Sequence, residues 1–375
     1  MTAVSPNIFP SDAVLDMEGG RGRSSEPGRL FIKVDPEKPQ VAVIIDDVPP
    51  KSKMTIEEGL YPLLASMKLF GLYSSRPRSA AGDSQEKRSR KQTAYLVYAV
   101  AIVVVMWINA LRMFSAFTHD DVFGLALLHK FSGIIWAVQC AIAQSAFCAA
   151  SFSGRLATVF LQVMEDSCAG HARKFSAFFA VLSWTIVGLG AAFFAYGLFV
   201  TDGYMDNMLT PFQTHIPVSH PLFPRIVAWL LGSYQMSAFI FTQTTTLVLT
   251  MVFSTQFKKV IAALGQCLDN NKQRQVSDSD IEMLRQKHQQ ISMNVDHVDD
   301  CLMFSNASAF CSQVSSVIIL LYSLVFYHSL MINAVFTTSY VFWLFVITVG
   351  LVMTAAGGIT VHHYVSQLNV LLING

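Results

Sequence analysis

The sequence carries little charge for its length. Only 14% of its 375 residues are Asp, Glu, Lys or Arg, whereas about a quarter of the residues in a soluble globular chain are charged. Hydrophobic residues make up 53%, and uncharged apolar runs recur that reach the roughly 20 residues needed to cross a bilayer. These features exclude an ordinary soluble domain and predict an all-α polytopic membrane protein.

Signatures of catalysis, metal binding and secretion are also missing. The six cysteines form no Cys-x-x-Cys pair and no Cys/His metal spacing, so we expect neither a disulfide framework nor a metal site. No catalytic constellation, phosphate loop or basic patch with interleaved aromatics is present, which predicts no enzyme activity, no cofactor and no nucleic-acid partner. Residues 1–30 lack a basic start followed by an apolar core, so no signal peptide is expected.

Six apolar segments are predicted to span the membrane. They cover about 93–112, a second segment within 123–153 whose uncharged core is 131–154, then 176–200, a fourth that begins near 222, 307–331 and 336–358. The fourth has no charge from Ile226 to Phe257, and as a helix this run is roughly 48 Å long. Since the hydrocarbon core is only about 30 Å thick, the fourth helix should project beyond it near Lys258.

Two regions follow from this pattern. Residues 1–92 are predicted to form a cytosolic N-terminal region that is largely disordered. Residues 93–375 are predicted to form the helical bundle, with a cytosolic helical loop at 258–304. Residues 60–72 form a short apolar segment with one lysine, and two placements remain open for it: at the inner membrane surface, or packed under the bundle.

The orientation follows from the loop charges. Lys and Arg number six in residues 76–91, next to the first span, three between the second and third spans, and six between the fourth and fifth. The opposite loops have none, apart from Arg112 and Arg225 at span ends. The positive-inside rule therefore places the N-terminus in the cytosol. The sequon at Asn306 then lies at the cytosolic boundary and should not be glycosylated.

The loop between the fourth and fifth spans contains a helix with a regular apolar stripe. Ser279 and Glu282 resemble a capping box at its start. An a/d pattern of this kind packs one stripe against a partner, and we predict that it serves as an oligomer anchor. The alternative is a helix that covers its own stripe on the bundle. The stripe, named the seam below, is Ile281, Leu284, His288, Ile291, Val295, Val298 and Leu302.

Aromatic residues in the predicted outer half of the bundle are candidates for a ligand pocket. Trp and Tyr also gather at membrane interfaces and Phe fills cores, so lipid or packing contact is the competing interpretation for each. The candidates are Trp136, Phe193, Phe194, Tyr196, Trp229, Tyr234, Tyr322, Tyr327, Tyr340 and Trp343.

Lys130 is the lysine closest to the interior of a span. It is either an intramembrane functional charge or the mark of a lower start to the second span, with Asp120 or Asp121 as its partner. We favour the second interpretation.

Two segments resemble the arthropod gustatory receptor family, whose members are relatives of insect odorant receptors. One is Leu60-Tyr61-Pro62 through Lys68-Leu69-Phe70-Gly71-Leu72, and the other is Leu284-Arg285-Gln286-Lys287-His288-Gln289-Gln290-Ile291 through Val298 and Phe304-Ser305. The resemblance covers roughly residues 55–365. The family also has a seventh span with a Thr-Tyr and Gln-Phe signature that this sequence does not contain, so we expect either a fragment or a six-span variant.

The resemblance implies a ligand-gated cation channel in the plasma membrane. Each subunit would hold a small-molecule tastant in the outer half of its bundle, and related subunits would form a homo- or hetero-tetramer through the cytosolic layer. The alternative is a polytopic transporter or a non-channel membrane scaffold. Transporters usually show internal repeats or broken helices with intramembrane charges, and the spans here show no convincing repeat.

Overall fold

The computed structural model describes residues 54–74, 85–115, 117, 124–162, 166–200, 222–271, 278–326 and 334–374. Regular structure in these ranges is α-helical, which confirms the predicted fold class. Six helices are long and apolar enough to cross a membrane. In chain order the helices are α1 (Ile56–Gly59), α2 (Tyr61–Leu69), α3 (Gln85–Phe114), α4 (Leu125–Phe152), α5 (Arg155–Phe160), α6 (Asp166–Phe199), α7 (Leu222–Asn271), α8 (Asp278–Phe326) and α9 (Ala334–Asn374).

Three helices are far longer than a bilayer requires. Helix α7 has 50 residues, α8 has 49 and α9 has 41, whereas about 20 suffice to cross. Helix α7 continues past Phe257, as the sequence predicted. Helix α8 is one element, although the sequence suggested a seam helix followed by a separate span from about Ala307. No glycine or proline lies between Asp278 and Phe326, so nothing in the sequence breaks the helix.

Helices α4 and α7 form the centre of the bundle. In their most apolar stretches 61% and 67% of the residues are buried within the chain. The corresponding share is 22% in α3 and α6, and 0% in α9. Because α9 is apolar and yet uncovered by its own chain, its outer face meets lipid or another protein.

The segment of residues 55–73, named the wedge below, packs into one end of the bundle. Leu60, Leu63 and Met67 of the wedge are all 0% exposed. The ring of Phe70 lies 5.4 Å from that of Phe241 in α7, measured between centroids. The sequence left open whether this segment lies on the membrane surface or under the bundle. The structure buries most of its apolar side chains in the bundle and leaves Tyr61 and Leu69 exposed.

Side chains from the bundle satisfy the carbonyl groups at the end of α2. Gln144 Nε2 donates to Phe70 O at 3.0 Å, and the Tyr95 hydroxyl lies within donating distance of two carbonyls, Lys68 O at 2.9 Å and Tyr73 O at 2.8 Å. Carbonyl groups at and beyond a helix end need such donors when they are buried. The wedge is therefore held by specific polar contacts as well as by apolar packing.

The turn after α2 requires glycine. Gly71 has a φ of 70°, a left-handed conformation in which a side chain is strained. A Cβ at this position would also lie 3.0 Å from Ile102 Cδ1 and 3.3 Å from Ala99 Cα. Both constraints let the wedge lie directly against α3.

A hydrogen bond joins the two ends of the wedge: the Tyr73 hydroxyl donates to Glu57 Oε1 at 3.1 Å. Burial, together with the nearby Glu57 carboxylate, raises the pKa of Tyr73 well above its usual range. The phenol therefore stays protonated and keeps its role as donor at physiological pH.

Candidate ligand-binding cavity

A cavity of about 230 Å³ lies at the end of the bundle opposite the wedge. Its walls come from the early turns of α4 and α9, the late turns of α6 and α8, and the middle of α7. The wedge contacts α4 at its other end, around Gln144 and Ser151. If the N-terminus is cytosolic, as the loop charges predict, this cavity lies in the outer half of the membrane.

Aromatic rings form most of the cavity wall. Phe193 lies 5.5 Å from Phe342, and Tyr196 lies 6.2 Å from Phe336, measured between ring centroids. Contacts at these separations fix ring orientations. Six of the ten predicted ligand residues line the cavity, and their contact with a ligand stays a prediction: Trp136, Phe193, Phe194, Tyr196, Tyr340 and Trp343.

The other four predicted residues lie elsewhere. Trp229 Nε1 donates to Ala191 O at 3.0 Å, a bond between α7 and α6. Tyr234 packs edge-on against Phe70 of the wedge, 5.6 Å away. Tyr322 is stacked near Phe326 at 4.6 Å. Tyr327 lies outside the described residues. The structure does not bring Trp229, Tyr234 or Tyr322 to the cavity wall.

At two glycines an aromatic ring lies directly against the helix backbone. A Cβ on Gly190 of α6 would lie 2.7 Å from Trp343 Cζ2 and 2.9 Å from Met236 Sδ. A Cβ on Gly232 of α7 would lie 2.4 Å from Phe194 Cε1. Both distances are below van der Waals contact, so only glycine lets these rings rest against the helix backbones. The rings consequently stay at the wall and leave the centre of the cavity open.

A short polar strip on α8 completes the wall. Ser312, Gln313 and Ser316 line the cavity and are buried, with Gln313 only 2% exposed. Residues three or four apart share a helix face, and adjacent residues lie close to it. These residues are polar positions inside an apolar span, and they were not among the site residues predicted from the sequence.

Lys130 also lines the cavity, at the first residue of its candidate span. The lower start of the second span agrees with the interpretation favoured from the sequence. Its suggested partners, Asp120 and Asp121, lie outside the described residues. Lys130 places a cationic group at the cavity wall.

The seam of α8 packs against α7 of its own chain. Val295 and His288 are half-buried, and the His288 ring lies 5.7 Å from that of Phe257. The side chain of Ile281 lies outside the described residues. The remaining seam residues are buried in the same apolar cluster as Phe257 and Val260: Leu284, Ile291, Val298 and Leu302. The stripe is thus covered within the chain, and its role as oligomer anchor stays a prediction.

Polar contacts hold the neighbouring face of α8. The side-chain amides of Gln162, after α5, and Asn294 bond to each other in both directions. Near the start of α8, Glu282 accepts from Arg285 and Gln286. In the part of the chain that the structure describes, no group of three His, Cys, Asp or Glu side chains could hold a metal ion.

No protein-family model and no curated protein matches the sequence. A solved structure does match the fold: the insect olfactory receptor OR5 from Machilis hrabei, with a TM-score of 0.59 over 81% of this chain and 81% of that chain. The chain has the fold of this olfactory receptor. Sequence identity to the olfactory receptor is 13%, so the similarity establishes the fold alone.

Proposed function

We propose that this chain is a chemosensory receptor of the gustatory kind and a subunit of a ligand-gated cation channel in the plasma membrane. The observation that carries the proposal is the aromatic-walled cavity of about 230 Å³ within an olfactory receptor fold. Apolar cavities with a few polar groups are typical of small-molecule sites. The segments that resemble gustatory receptors support a tastant as the small molecule.

The proposed orientation gives the cavity access from outside the cell. The N-terminus and the Lys258 end of α7 lie in the cytosol, because Lys and Arg gather in the loops on that side. The cavity end of the bundle then faces the external medium, where tastants arrive. The wedge lies on the cytosolic side and closes the bundle there.

The proposed assembly is a homo- or hetero-tetramer with related subunits. Helix α9 has no buried residue in its most apolar stretch, and Phe345 is 67% exposed. On α8, Met293 and Phe304 are 52% and 70% exposed. At 100° per residue, both lie on the face of α8 roughly opposite the seam residue Leu284. The seam holds α8 on α7, and the opposite side of α8 is available to neighbouring subunits.

The function is tested by recording currents from cells that express the chain against a panel of tastants. We expect a ligand-evoked cation current, alone or with a related receptor subunit. Surface labelling checks delivery, and a tag at the N-terminus should bind antibody only in permeabilised cells. Native mass spectrometry of the purified protein should give a mass of four subunits.

Absence of current in cells with normal surface delivery would contradict the channel proposal. Uptake of a labelled tastant without current would then favour the transporter alternative, and neither current nor uptake would favour a membrane scaffold. Antibody binding to the N-terminal tag in intact cells would overturn the orientation independently of the current.

A further inference from the structure

One buried polar group at the cavity has no protein partner. Gln313 is 2% exposed, lines the cavity, and its Oε1 accepts no hydrogen bond from any residue that the structure describes. A carbonyl oxygen withdrawn from water without a donor is destabilising. A hydrogen-bond donor that enters the cavity, either water or a ligand, would satisfy this oxygen.

The other buried glutamines do not share this arrangement. Gln144 donates its Nε2 to the wedge at Phe70 O. Its Oε1 and the Nε2 of Gln235 lack partners among the described residues, but neither residue lines the cavity. Gln139 of α4 is also 2% exposed and its amide lacks partners among the described residues, but it does not line the cavity. Among the described residues at the cavity wall, Gln313 carries the one side-chain amide. Its position on the wall, and not simply its burial, points to a ligand.

The rest of the wall restricts what carries the donor. Trp136, Phe193 and Trp343 present ring faces and edges to the cavity, which favours an apolar or aromatic body. An ion of either sign would lose its hydration in a cavity with a largely apolar wall, which favours an uncharged ligand. A cavity of roughly 150 Å³ binds benzene in another protein, so the present volume of about 230 Å³ accommodates a single ring with a short substituent.

We propose that the cavity binds a small uncharged ring alcohol or phenol, whose hydroxyl donates to Gln313 Oε1. The ring lies among the aromatic side chains, and the hydroxyl points to the polar strip of α8. Ser316 lies three residues beyond Gln313 on that strip and offers a second polar neighbour to the hydroxyl. This inference rests on the proposed function, since it names the ligand class of the same cavity.

The test measures binding and not current. The full chain is reconstituted in lipid nanodiscs, and three probes are compared by equilibrium dialysis, with empty nanodiscs subtracting partition into lipid. The probes are 2-phenylethanol, its methyl ether, and phenylacetate. We expect 2-phenylethanol to bind about 10-fold more tightly than the ether, which is the effect of one neutral hydrogen bond, and phenylacetate to bind more weakly than the alcohol.

Substitution at Gln313 identifies the acceptor. In Gln313→Leu the alcohol and the ether should bind with nearly equal affinity, because the acceptor is gone and the apolar wall is kept. Gln313→Met, which is closer in shape, replaces this variant if Leu prevents folding. Gln139→Leu is the matched control, and it should keep the 10-fold preference.

Three outcomes would overturn the inference: a preference for the alcohol that survives at position 313 without an amide, tightest binding of phenylacetate, or no saturable binding of any probe. The channel proposal is judged separately. Binding of the alcohol without current supports this inference and contradicts the channel, whereas current evoked by other tastants without an alcohol preference contradicts this inference alone.

Discussion

The two ends of the bundle are built from the same long helices but are packed differently. At the wedge end, residues 55–73 fill the space between the helices, and Phe70 touches rings of α6 and α7. At the other end no wedge is present among the described residues, and about 230 Å³ remains open. The long helices alone thus leave space in the interior of the bundle. The wedge fills this space at one end, and at the other end the space remains as a cavity that can hold a ligand.

Polar groups follow the same division. Gln144 at the wedge end donates to Phe70 O at 3.0 Å, so its amide fixes one chain segment to another. Gln313 at the cavity end keeps its Oε1 without a partner in the described chain. Gln144 Oε1 also lacks a partner in the described chain, but Gln144 does not line the cavity. Only at Gln313 can a molecule in the cavity supply the missing donor.

Removing the ring of Phe70 from the wedge tests whether the filled half carries the stability. Phe70→Ala should reduce the free energy of unfolding by about 3–5 kcal/mol, the usual cost of a buried Phe cavity. The measurement is an SDS titration of the purified protein. Leu69→Ala is the neighbouring control, because Leu69 is 57% exposed. Equal losses in the two variants would mean that the wedge contributes little stability.

Adding a methyl group at Gly190 tests whether ligand binding at the cavity end depends on the position of the neighbouring ring. The new methyl group in Gly190→Ala displaces Trp343, which it would approach to 2.7 Å, at a cost of about 1–3 kcal/mol in stability. The displaced ring enters the cavity, so binding of 2-phenylethanol should weaken at least about 10-fold, or roughly 1.4 kcal/mol.

Gly188→Ala is the control on the same helix, since a Cβ there meets nothing within 4 Å. It should leave binding unchanged and preserve or slightly raise stability, because alanine favours helix by about 1 kcal/mol over glycine. Similar binding in the two variants would show that Trp343 does not bound the site.

A single hydroxyl bond between α6 and α7 should have the smallest effect. Ser183 Oγ lies 2.9 Å from Thr244 Oγ1, and Ser183 is 1% exposed. Ser183→Ala should cost roughly 0.6 kcal/mol, the average for such bonds between membrane helices, in the same SDS titration. A loss as large as that of Phe70→Ala would indicate that polar contacts, and not the wedge, dominate the interior.

The helices were predictable because hydropathy fixes span length. The uncharged run before Lys258 predicted the extension of α7, and the apolar segments predicted all six span candidates. The placement of the wedge was not predictable. An apolar segment such as 60–72 buries its side chains equally well in a membrane surface or in a bundle, and only tertiary packing decides between them.

The site was predictable in part for a similar reason. Aromatic residues near span ends are candidates for a pocket, but composition does not separate Trp136, which lines the cavity, from Trp229, which bonds to α6. The periodicity of the seam correctly marks a covered stripe, but it does not name the residues that cover it, which belong to the large apolar cluster of the bundle. Gln313 was missed because one polar residue in a span carries no periodic signal.

The length of α7 has a mechanical consequence. Phe70 of the wedge packs against Phe241 of this helix. At 1.5 Å per residue, α7 extends about 45 Å from Phe241 to Asn271 and about 29 Å from Phe241 to Leu222. The longer part of the helix, from Phe241 to Asn271, points away from the cavity. A tilt of about 5° of a rigid helix around Phe241 would move Asn271 by about 4 Å but the cavity residue Met236, about 7.5 Å from Phe241, by less than about 1 Å. A small adjustment at the cavity would therefore correspond to a displacement several times larger at the far end of α7.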